Sequence, residues 1–84
     1  MTVTVYSKPR CPQCDATKRR LDKLGVPYLT ADVTESPSDL ARIIEWGYQQ
    51  VPVVEVQYRG QVEHWSGFRP DKLQGLASAR KDAA

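Results

Sequence analysis

The sequence is poor in the residues that build staples and metal cages. It holds two cysteines, one histidine and one methionine in 84 residues. Chains this short bury only ~60% of their unfolded surface, and many are reinforced by disulfides or a metal. Here Cys11 and Cys14 are three positions apart, so a bridge between them closes a tiny loop and ties no distant segments together. A zinc site takes four protein ligands, or three plus water. Two cysteines and the single His64 do not supply a structural one, and no metal is expected. Any apolar run near the ~18 residues of a membrane span is also missing. So is a basic stretch followed by an apolar segment and a cleavage site at the N-terminus. The expectation is a cytoplasmic protein that engages no membrane. The formal net charge is only +2, with 26% charged residues, which points neither to disorder nor to a nucleic-acid surface. No repeat, linker or low-complexity tract divides the chain. One domain over residues 1–78 is expected, monomeric, with 79–84 as a frayed tail.

What is present reads as alternating elements. Thr2–Tyr6 alternates Val and Thr as a strand does. A helix follows from about Cys11, with Pro12 suited to its first position and Gly25 to its end. Cys14, Thr17, Leu21 and Leu24 share one face of it. Residues 26–32 read as a second strand. Ser36-Pro37 opens a second helix whose core face is Leu40, Ile43 and Ile44, with Gly47 ending it. Residues 51–58 and 61–65 form a hairpin around Arg59-Gly60, and Pro70 opens a last helix with Leu73, Leu76 and Ala77 inward. The order β-α-β-α-β-β-α favours a parallel crossover of the first two strands and an antiparallel edge.

The strongest signal is Cys11-Pro12-Gln13-Cys14 at the junction of the first strand and helix. A C-x-x-C pair there, in a βαβ setting, is a thioredoxin-like redox signature. Two cysteines in the first helical turn are close enough to bond and can part without large backbone movement. Unpaired N–H groups and the positive end of the macrodipole stabilise a thiolate at Cys11. Lys8 and Arg10 add positive charge and are candidate tuners of its pKa, whereas Asp15 works against them. Cys11 is therefore the expected attacking thiolate, and the more buried Cys14 resolves the mixed disulfide.

Two further segments stand out. Val51-Pro52 opens a strand with a residue that cannot donate to a ladder. It is either an ordinary trans proline at the strand's first residue or a cis proline facing the sulfurs, leaving the Val51 backbone free for an incoming peptide. Trp65-Ser66-Gly67-Phe68-Arg69-Pro70 places two aromatics around a glycine. It is either a hydrophobic plug or a loop beside the cysteines with aromatic surface for a partner. His64 is read as a solvent-facing strand residue, Trp46 as helix packing, and Lys18-Arg19-Arg20 as a solvated face or a means of steering an acidic partner.

From the first strand to about Leu73 the sequence resembles the glutaredoxin-like NrdH-redoxins. The likeness rests on Cys-Pro-Gln-Cys with Ala16-Thr17-Lys18-Arg19, on Leu21-Asp22-Lys23 with Gly25, on Gly47-Tyr48 with Gln50-Val51-Pro52-Val53-Val54, and above all on His64-Trp65-Ser66-Gly67-Phe68-Arg69-Pro70-Asp71. Glutaredoxins usually carry a Gly-Gly pair and an acidic residue at the last segment, where they hold glutathione. The resemblance implies a glutaredoxin-type α/β fold, a mixed four-stranded sheet flanked by helices. It further implies Cys11 as nucleophile, Cys14 as resolving thiol, Pro52 as a cis-proline, and Val51, Trp65, Ser66, Gly67, Phe68 and Arg69 as partner-binding positions. It also implies electrons from NADPH through thioredoxin reductase, delivery to a class Ib ribonucleotide reductase in deoxyribonucleotide synthesis, and no bound cofactor beyond the Cys11–Cys14 disulfide. Pro12 departs from the Val or Met common in that motif and brings it nearer to the glutaredoxin Cys-Pro-Tyr-Cys. The competing readings are a glutathione-dependent glutaredoxin and a non-catalytic thioredoxin-fold binding or redox-sensor module.

Overall fold

Successive side chains of a strand point to opposite faces. The first strand, β1 (Thr2–Ser7), obeys that rule: Val3 and Val5 enter one apolar cluster and Tyr6 another. The computed structural model describes residues 1–83, with side chains through Arg80. After β1 come α1 (Pro12–Leu24), β2 (Leu29–Asp32), α2 (Pro37–Glu45), β3 (Val53–Tyr58), β4 (Gln61–Ser66) and α3 (Pro70–Ala83). The sheet order is β2-β1-β3-β4. Strand β1 is parallel to β2 and antiparallel to β3, and β3 and β4 form a hairpin. Arg59 (φ 50°) and Gly60 (φ 78°) make its two-residue turn, the left-handed pair that matches strand twist. This is the thioredoxin-like arrangement.

The two faces of the sheet differ in size. On one, Val3, Val5, Val54, Val56 and Trp65 meet Leu21 of α1, Val26, and Leu73, Leu76 and Ala77 of α3. Leu21 and Leu73 are fully buried, and truncating either to alanine costs about 2–5 kcal/mol. On the other face Tyr6 and Val53 meet Val33 and Ile43 of α2, with Trp46 and Tyr48 partly buried around them. Helix starts and stops follow local chemistry. Pro12 takes the first turn of α1, and Gly25 ends it at φ 71°. Ser36 caps α2 by accepting from the Asp39 N–H, with Pro37 next to it.

Several boundaries differ from expectation. The second strand is confined to Leu29–Asp32, and pairing of the third begins at Val53, past Pro52, which has no N–H to give. Leu40 and Ile44 are 40% and 58% exposed rather than core; only Ile43 of the expected trio is buried. Helix α3 continues to Ala83 instead of ending near residue 78. The Arg80 guanidinium donates to the Gly25 carbonyl, which ties a turn beyond that point to the end of α1. Ala84 lies outside the described residues.

Candidate active site

The redox pair is placed by the way α1 starts. Chain leaving β1 passes through Arg10, whose backbone is left-handed (φ 59°), and turns extended again at Cys11 (φ −117°, ψ 98°). Cys11 is thus the N-cap. Its carbonyl accepts from the Asp15 N–H at 3.0 Å, and its sulfur accepts from the Cys14 N–H at 3.2 Å. An N-cap acceptor that becomes an anion gains further from the helix end. Cys11 and Cys14 are joined in a disulfide, with Cα atoms 5.2 Å apart. Of the two cysteines only Cys11 keeps exposed surface, 6% against none for Cys14.

The opposite side of the sulfurs is the segment before β3. The Val51–Pro52 bond is cis, as the resemblance implied. The Val51 carbonyl lies 3.8 Å from Cys11 Sγ, and in the thiol form that sulfur becomes a donor to it. Val51 stands beyond Val53, the last paired residue of the ladder, so sheet pairing does not engage its backbone. The Pro52 carbonyl, by contrast, is taken by the Gly67 N–H at 2.8 Å. Gln13, between the two cysteines, accepts from the Phe68 N–H through Oε1 at 3.2 Å. Gly67 itself is at φ 84°, open to glycine and strained for other residues. The β4–α3 loop is therefore fastened both to Pro52 and to the cysteine motif.

The other expected partner-binding residues divide. Ser66 is exposed at the end of β4, and Phe68 is half-buried against the larger core. Arg69 bonds within its own loop, to Asp71 at 3.0 and 3.2 Å. Trp65 is not aromatic surface for a partner. It is 6% exposed and belongs to the core between the sheet, α1 and α3, because its strand partner Val54 points the same way. Lys72 Nζ sits 5.3 Å from its ring centroid on that side. His64 is likewise not a free strand residue. It stacks on Trp46 at 4.2 Å between centroids and shares a 2.7 Å hydrogen bond between Nδ1 and the Tyr48 hydroxyl.

Two features carry no part in the sequence reading above. The first is a groove of about 850 Å³ running past Cys11, with Lys8, Arg10 and Gln50 among its polar lining and Leu40 and Ile44 among its apolar lining. The available signal was the apolar trio Leu40, Ile43 and Ile44 of α2, of which the smaller sheet face buries only Ile43. The second is Glu55, 3% exposed in mid-sheet. It accepts from Tyr6 Oη (2.6 Å), Arg42 Nη2 (2.7 Å) and Gln57 Nε2 (3.1 Å). Burial alone would push its carboxyl up, but those donors and the Arg42 charge outweigh it and hold it below the usual range. Burial, then the bond to Glu55, pushes the Tyr6 phenol up. An acid inside Val53-Val54-Glu55-Val56 was the cue, since a buried charge requires partners.

A bonded C-x-x-C pair capping α1, with only Cys11 keeping exposed surface and the chain turned beside it through a proline, defines a thiol–disulfide oxidoreductase of thioredoxin-like fold. Comparison with known proteins narrows the class. The glutaredoxin family profile matches residues 3–61. The glutaredoxin-like protein NrdH of Escherichia coli K12 is 35% identical over 79 residues, 94% of this chain and 93% of that protein. NrdH of Lactococcus lactis IL1403 is 35% identical over 89% of this chain and 99% of its own. The solved NrdH-redoxin of Escherichia coli superposes with a TM-score of 0.81 at 34% identity, over 90% of this chain and 95% of that one. The chain belongs to the glutaredoxin family, among its NrdH-type members.

Proposed function

We propose that this protein is a dithiol electron carrier in the cytoplasm, reduced by NADPH through thioredoxin reductase and oxidised by a class Ib ribonucleotide reductase. The Cys11 thiolate attacks a sulfur of the partner's disulfide, forming a mixed disulfide and expelling one partner thiolate. Cys14 then loses its proton and attacks the Cys11 sulfur. The Cys11–Cys14 bond forms, the second partner thiolate leaves, and two electrons have passed to the partner. The reductase reverses the change by the same exchange.

The observation that carries this reading is the near full-length similarity to the Escherichia coli NrdH-redoxin, a glutaredoxin-like protein described as having a thioredoxin-like activity profile. The loop chemistry supports it. Ser66-Gly67-Phe68 stands where a glutathione user is expected to carry Gly-Gly and an acid, and two of that loop's N–H groups are already given to Pro52 and Gln13. The test is NADPH oxidation with ribonucleotide reductase as terminal acceptor, run with thioredoxin reductase and, separately, with glutathione and its reductase. Turnover is expected in the first system. Efficient turnover only in the second assigns the protein as a glutathione-dependent glutaredoxin; none in either, with intact cysteines, leaves the binding or sensor reading.

A further inference from the structure

The groove beside Cys11 has a composition that its neighbours in sequence do not advertise. Lys8 and Arg10 line it, both exposed, and no Asp or Glu is among its lining residues in the described part of the chain. The chain as a whole has ten acidic residues against twelve Lys and Arg, so an acid-free wall next to the sulfurs is a local property. The lining also has apolar members on α2. Leu40 and Ile44 are four residues apart on α2, which places them on one helical face. They stay 40% and 58% exposed while Ile43 turns into the sheet. Val51 lines the groove as well, and the ladder leaves its backbone unpaired beside the reactive sulfur.

Each part selects a property of the occupant. The cations ask for a carboxylate. The Leu40–Ile44 ledge asks for an apolar side chain, which a small charged thiol does not offer. The Val51 edge asks for extended backbone, as in strand addition. At about 850 Å³ the groove is near the top of the ~300–1,000 Å³ range of small-ligand sites, open enough for a stretch of chain. We propose that Lys8, Arg10, Leu40 and Ile44 are specificity-determining residues, and that the groove selects an extended, disulfide-bearing protein segment with an acidic residue and an apolar residue flanking its cysteine. The inference rests on the protein acting on protein disulfides, and it names which segments it prefers.

The test uses the chemically reduced full-length protein and cyclic disulfide peptides of one length. One peptide carries Glu and Leu beside its cysteines, one has the Glu replaced by Lys, and one has the Leu replaced by Ser. Thiols are counted after acid quench to give second-order rate constants. The Glu peptide is expected to react about ten-fold faster than the Lys peptide at low ionic strength, with the ratio shrinking at high salt. In Lys8→Gln/Arg10→Gln protein that ratio falls to near one. A ratio between peptides is read because loss of both cations also alters Cys11 reactivity toward every substrate. The Leu peptide is expected to outpace the Ser peptide several-fold, and Ile44→Ser, at an exposed position, removes that preference. Equal rates for the three peptides overturn the proposal. So does a preference that survives in the substituted proteins, or glutathione disulfide reacting faster than the Glu-Leu peptide. No reductase enters the assay, so its failure is separable from failure of the thioredoxin reductase coupling above.

Discussion

Replacing Glu55 by leucine isolates what the buried carboxylate contributes. The substitution leaves three donors without their acceptor, but the three losses differ. Gln57 is exposed and rebonds to water. The Arg42 side chain is 46% exposed, so its lost ion pair is worth only about 0–1 kcal/mol. Tyr6 is 3% exposed, and its hydroxyl becomes a buried donor with no acceptor, at about 1–3 kcal/mol. The Tyr6 loss decides the outcome: Glu55→Leu should destabilise by about 1–3 kcal/mol, a fall in Tm of roughly 5–20 °C for a domain of this size. Adding Tyr6→Phe removes the orphaned donor and should restore most of that loss, whereas Tyr6→Phe alone should not stabilise. Thermal unfolding by circular dichroism on the four proteins of the cycle measures the coupling directly. A double variant as unstable as Glu55→Leu itself would refute the reasoning and place the cost in packing. The pH dependence gives a second check. The folded carboxyl titrates below its ordinary value of 4.5, so its stabilisation is complete above about that pH and is lost as pH falls through the folded value. Stability of the parent should therefore drop more steeply into acid than that of Glu55→Leu.

Cys11→Ser should abolish disulfide reduction, and Cys14→Ser should accumulate a covalent adduct with the acceptor, visible by non-reducing electrophoresis; trapping with the Cys11→Ser protein instead reverses the two roles. Gly25→Ala should cost about 1–2 kcal/mol, since φ is 71° and a Cβ there meets nothing within 4 Å, which leaves backbone strain as the whole effect. Gly25→Asn should cost less than Gly25→Ala, because asparagine tolerates the left-handed region, and urea denaturation ranks the pair.

Much of the fold was legible because its signals are local. Pro12, Gly25, Ser36 and Pro37 mark helix ends through chemistry within a few residues, and each stands where it was placed. The cysteine pair was legible for the same reason: spacing and a helix start suffice to mark it as a disulfide-forming redox pair. What escaped depends on contacts distant in sequence. Trp65 reads as loop aromatic surface until its register opposite Val54 commits it to the core. His64 is an ordinary strand residue until α2 brings Trp46 over it. Leu40 and Ile44 repeat at helical spacing, and spacing alone does not tell a face turned to the sheet from one turned to a groove. Glu55 needs Tyr6, forty-nine residues away, before a carboxylate in a valine strand makes sense.

The unequal faces of the sheet divide the molecule into a stiff half and a yielding half. Helices α1 and α3 share with the sheet a cluster of ten buried residues among those described, so opening them approaches global unfolding. Helix α2 is fastened by Ile43, an aromatic stack and one ion pair, a much smaller sum. Native-state openings are drawn from such lightly held elements. The sulfurs sit on the border: Cys14 is fully buried on α1, while Leu40 and Ile44 of the proposed docking groove belong to α2. A partner docked in the proposed groove would act on α2 against that small sum, whereas the two cysteines start α1, the helix that Leu21 fixes in the larger core.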